Sequence, residues 1–69
     1  MISYKITVED MMCKNCVKKI EDALYEAGAE GVSCNLARKE VVIDSDLSVE
    51  EIYEIIEDAG YTPGDLELL

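Results

Sequence analysis

Near the start of the chain Ile2, Tyr4, Ile6 and Val8 alternate with Ser3, Lys5 and Thr7, the period-two pattern of a strand with one buried face. From Cys16 the spacing changes. Val17, Ile20, Ala23, Leu24 and Ala27 fall on one helical stripe, which predicts a helix over about 15–27 with Asn15 as its N-cap and Gly28 as its stop. Val32, Cys34 and Leu36 then alternate with Ser33 and Asn35, and the β-branched run Val41-Val42-Ile43 follows a polar stretch, so a hairpin of two strands is expected. The second helix is the best punctuated. Ser48 and Glu51 have capping-box spacing, Leu47 can staple against Ile52, and Ile52, Ile55, Ile56 and Ala59 form the apolar stripe. Gly60 ends that helix, Pro63 prevents its resumption, and a short last strand is expected at Leu66–Leu68.

The order is therefore β, α, β, β, α, β. It predicts an α+β, ferredoxin-like sandwich in which a four-stranded antiparallel sheet carries two helices on one face. With 69 residues and no internal repeat or linker, the whole of 1–69 is expected to be a single domain. A chain this short buries only about 60% of the surface its unfolded form exposes. So small a core leaves little volume for a deep cleft and its supporting shell, and binding or carrying is expected rather than enzyme catalysis. The 49% hydrophobic and 32% charged content fits a globular protein and excludes disorder. No apolar run approaches the roughly 20 residues of a membrane span, and the alternating start is no signal peptide, so a cytoplasmic location without membrane insertion is expected.

Charge narrows the partners. A formal net charge of -10, from 16 acidic and 6 basic residues, makes nucleic acid and anionic membrane poor ones. The basic residues Lys14, Lys18 and Lys19 follow the first cysteine, whereas Glu50, Glu51, Glu54, Glu57 and Asp58 gather on the second helix. Both clusters read first as solvated helix faces. The lysine cluster would also steer an acidic counterpart towards the site.

The candidate chemistry lies in MMCKNC, residues 11–16, where Cys13 and Cys16 stand three apart in a chain with one other cysteine and no histidine. An odd cysteine count without a secretory signal reads as free thiols in a reducing compartment. The pair falls where the first strand hands over to the first helix. Unpaired N–H groups and the positive end of the helix dipole favour thiolate there, and the nearby lysines are expected to add to that effect. Side chains three apart in a helical turn share a face, so two sulfurs can meet one ion, and two thiolates are soft ligands suited to Cu(I) and less so to Zn(II). Three other readings stand beside this one: cysteines as core filler, a redox dithiol, and half of a structural zinc site. The zinc reading needs two more ligands. Cys34 is expected to point into the core, which leaves Glu9, Asp10 or a second molecule. An exposed pair that leaves its ion under-coordinated suits handover better than anchoring.

Met11-x-Cys13-x-x-Cys16 between strand and helix, Gly31-Val32 entering the second strand, and Asp58-Ala59-Gly60-Tyr61 after the second helix resemble the heavy-metal-associated domain over nearly the whole chain. The resemblance implies that Cys13 and Cys16 bind the metal and that Met11 turns its sulfur inward to brace the loop. It also implies that Tyr61 sits near the ion, as in bacterial copper chaperones. The family usually carries glycine at the place of Asp10 and a small polar residue at that of Met12, and carboxylates at Glu9-Asp10 would favour a divalent ion such as Zn(II) or Cd(II). The expectation is a cytoplasmic metallochaperone-like protein of copper homeostasis. It would bind one Cu(I), with Zn(II) or another soft heavy metal as the alternative cargo, and transfer it to a P-type ATPase or a metal-responsive regulator by thiolate exchange. The alternatives are a Zn(II)/Cd(II) or Hg(II) binding domain and a small thiol redox protein. A monomer is expected, or a dimer bridged by metal through four cysteines, and the starting Met1 reads as a stand-alone carrier.

Overall fold

The computed structural model describes residues 2–69. Its elements run β1 (Ile2–Val8), α1 (Lys14–Glu26), β2 (Gly31–Asn35), β3 (Glu40–Ser45), α2 (Val49–Asp58) and β4 (Pro63–Leu68). All strand pairs are antiparallel and the sheet order is β2-β3-β1-β4, the ferredoxin-like arrangement expected from the pattern.

Register explains which face is covered. Tyr4 lies opposite Ile43 and Ile6 opposite Val41, so the apolar members of both strands share one face. That face packs on Ile20 and Leu24 of α1 and on Ile52 and Ile56 of α2, with Val8, Met11 and Ala29 completing the buried cluster. On the opposite face Lys5 reaches Glu40 at 3.6 Å and Glu67 at 3.4 Å. These solvent-side pairs contribute little next to the core. Among the described residues no helix is long and apolar enough to cross a membrane.

Two boundaries differ from expectation. Helix α1 starts at Lys14, and its N-cap is Cys13, with φ -148° and ψ 168°, rather than Asn15. The first helical bond runs from the Val17 N–H to the Cys13 carbonyl at 3.2 Å, which leaves Asn15 inside the first turn. Asparagine is the better capping type, but the entry point is set by the buried Met11 just ahead of it. Strand β4 begins at Pro63, opposite Val8, instead of at Leu66. Proline at the first position of an edge strand breaks no ladder bond, so the residue that bars the helix from resuming also opens the strand.

The end of α2 and the start of β4 are tightly built. Gly60 takes φ 96°, the left-handed conformation glycine enters without a Cβ clash. The Gly60 N–H bonds to the Glu57 carbonyl at 3.0 Å and the Tyr61 N–H to the Ile56 carbonyl at 3.1 Å, the paired bonds of a Schellman motif. Next along, a Cβ on Gly64 would stand 2.9 Å from the Thr7 carbonyl oxygen, where the β1–β4 register shifts between Ile6 and Val8. The Tyr53 hydroxyl donates to the Gly64 carbonyl at 3.1 Å, tying α2 to the same strand. The result brings the β1–α1 and α2–β4 loops together at one end of the sheet.

Candidate metal centre

Met11 and Val8 are fully buried, and the Met11 N–H bonds to the Val8 carbonyl at 3.2 Å. The loop after β1 is thus pinned from beneath, with the Met11 side chain in the core. The chain then turns outward. Met12 is 76% exposed, Cys13 is exposed and Cys16 half-buried, both as free thiols. Their sulfurs stand 3.2 Å apart, as the three-residue spacing anticipated. The exposed Cys13 side chain makes no cap bond to the helix.

The electrostatics centre on Cys16. Its pKa is lowered from 9.0 to about 7, first by a hydrogen bond with the Tyr61 side chain, then by the Cys13 thiol and by the backbone at Met12 and Cys13, against a smaller opposing effect of burial. The same contact pushes the Tyr61 phenol up to about 12, as expected for a hydroxyl that donates to a thiolate. The expected lysine contribution is absent from these causes: Lys14, Lys18 and Lys19 are exposed, and hydrogen bonds do the work assigned to them. Tyr61 follows directly on the Schellman turn at the end of α2. It is half-buried.

Two other candidates lie apart from the pair. The carboxylate of Asp10 accepts the Thr62 N–H at 3.1 Å, so it braces the neighbouring loop. Among the described residues no group of three or more histidine, cysteine, aspartate and glutamate side chains could hold a metal ion. In this arrangement neither Glu9 nor Asp10 clusters with the two sulfurs. Cys34 sits on β2 opposite Val41, half-buried against the core as expected. Burial, followed by the Glu21 carboxylate, pushes its thiol up to about 11. The Asp10–Thr62 bond joins residues 52 apart in sequence, and no local pattern signals it.

The chain matches the model of the heavy-metal-associated domain over residues 5–62. The copper chaperone CopZ of Staphylococcus haemolyticus is 38% identical over 65 residues, which cover 88% of this chain and 96% of that protein. A mercuric reductase of Staphylococcus aureus is 39% identical over 66 residues, covering 94% of this chain but 12% of the reductase, so the chain spans a small fraction of that relative's length. Among solved structures, a copper binding domain from HMA7, a P-type ATPase, superposes with a TM-score of 0.85 at 29% identity, over 100% of this chain and 95% of that one.

Proposed function

This chain belongs to the heavy-metal-associated domain family, and on that premise we propose that it is a cytoplasmic metallochaperone-like carrier that holds one Cu(I) between Cys13 and Cys16. The observation that carries the proposal is the pair of free sulfurs 3.2 Å apart at an exposed helix start. Two soft thiolates suit Cu(I) and, without a clustered carboxylate, offer little to Zn(II) or Cd(II). Two-sulfur coordination also leaves room for a third. An incoming thiolate on a P-type ATPase or a metal-responsive regulator joins the ion before the first pair lets go, so handover proceeds by ligand exchange and needs no catalytic group. The likeness to a copper chaperone and to a copper binding domain of a P-type ATPase supports this cargo and this class of partner. A second reading, Hg(II) carriage, is favoured by the likeness to a mercuric reductase; that ion too is soft and takes two thiolates.

The test is an anaerobic titration of the reduced protein with Cu(I) against a chromogenic chelator, run beside Zn(II) and Hg(II) and repeated with Cys16→Ser. One-to-one Cu(I) retention that the substitution abolishes, with weak zinc binding, is the expected result. Retention of Hg(II) but not Cu(I) would move the cargo to mercury. Retention of neither, with turnover of a model disulfide, would replace the carrier with a thiol redox protein.

A further inference from the structure

We propose that Asp10 is a positioning residue for this site: its carboxylate holds the Tyr61-Thr62 backbone against the β1–α1 loop and so keeps the Tyr61 hydroxyl on Cys16. The inference deepens the carrier reading and takes from it the role of Cys16 as a ligand. Its basis is the way residues 61–63 are fixed at three successive points. The Tyr61 N–H is held by the Ile56 carbonyl at 3.1 Å, the Thr62 N–H by Asp10 Oδ2 at 3.1 Å, and Pro63 by its place opposite Val8. The first fixes where the helix ends and the third where the strand begins. The second ties the backbone of this segment to the loop that carries the thiols.

Asp10 is well placed for that task. Its neighbour Met11 is fully buried, so the carboxylate projects from a pinned backbone. A charged acceptor on a backbone N–H is stronger than a neutral one. Without the tie the Tyr61-Thr62 segment keeps its helix cap and strand start but is free to swing away from the thiols. The Tyr61 hydroxyl then loses its hydrogen bond with Cys16, and an attacking thiolate or chelator gains access to the ion.

The experiment uses NMR on the reduced, metal-free chain, following the nuclear Overhauser contact between the Tyr61 ring and the Cys16 β-protons and the Thr62 amide resonance. Wild type and Asp10→Asn, which keeps an acceptor oxygen, should show the contact. Asp10→Ala and Asp10→Gly should lose it and shift the Thr62 amide while the remaining spectrum stays native. On the Cu(I)-loaded chain, release to a chelator should quicken about 3- to 10-fold in Asp10→Ala and in Tyr61→Phe, the range of one net hydrogen bond. The double variant should be no faster than Tyr61→Phe alone. An unchanged Tyr61–Cys16 contact in both Asp10→Ala and Asp10→Gly, or additive release rates, would overturn the proposal. Should wild type retain no Cu(I), the carrier reading falls, and the contact on the metal-free chain still decides the role of Asp10.

Discussion

The two helices begin in opposite ways. At the start of α2 the Ser48 hydroxyl accepts the Glu51 N–H at 3.2 Å, and Glu50 and Glu51 supply negative charge in the first turn. At the start of α1 the N-cap Cys13 makes no side-chain cap bond, and the first turn holds no acidic residue. There the sulfur of Cys16, third in the helix, is stabilised first by the Tyr61 hydroxyl and the Cys13 thiol and less by the backbone. A full capping box has two halves, from cap side chain to third N–H and from third side chain back to the cap. Helix α2 uses the first half with oxygen, whereas no side chain caps α1. The difference teaches where each helix dipole is spent: on closing the helix in α2, and on holding an anion that can exchange its partner in α1.

The largest effect should be the same for both helices. Leu24→Ala in α1 and Ile52→Ala in α2, each fully buried, should each cost about 3 kcal/mol in urea unfolding of the reduced protein. A large loss in one and none in the other would mean that the helices are docked unequally, and the comparison of their caps would fail. The caps themselves should separate the two. Ser48→Ala should cost about 1 kcal/mol, whereas Cys13→Ser, which places a good capping hydroxyl at the start of α1, should raise the stability of the metal-free chain by up to about 1 kcal/mol. Destabilisation by Cys13→Ser in the same urea series would show that the thiol already caps the helix.

The smallest effect is in pH. Cys16 titrates at about 7 in the folded chain against a reference of 9.0. Its folded pKa is depressed, so its contribution is full above about pH 9 and is lost as pH falls through about 7. Stability of the metal-free chain relative to Cys16→Ala should therefore rise between those values, and Tyr61→Phe should flatten the rise. Cys34, pushed up to about 11 from 9.0, tilts the other way, with a contribution present below about pH 9 and lost as pH climbs towards 11. Urea midpoints measured across this range, with Cys34→Ala as the second reference, check both slopes; a flat profile for Cys16 would discard its link to Tyr61.

Much of this was legible because it is periodic or local. Tyr4, Ile6 and Val8 declare the buried face of β1, and Ser48 with Glu51 marks the start of α2 within four residues of sequence. Cys13 and Cys16 were legible as a pair because their spacing is the spacing of a helical turn. The N-cap of α1 was not, since asparagine outranks cysteine by type while the entry point is decided by the burial of Met11. Pro63 was read as a helix breaker, yet its role as first residue of β4 depends on the edge position of that strand. Asp10 was the least legible residue. Its charge suggested a metal ligand, but the donor that claims it, the Thr62 N–H, lies almost the whole chain away.

Gly64 has a consequence for how the chain tolerates mutation. Along β4 the exposed Asp65 and Glu67 face solvent or Lys5, and exchange there disturbs little. At position 64 any side chain meets the Thr7 carbonyl at 2.9 Å and must lever Pro63, and with it Tyr61, away from β1. A substitution that touches neither sulfur would then surface as poorer metal retention in a chain that still folds. On the carrier function proposed above, position 64 is constrained by the cargo although it lies outside the thiol loop.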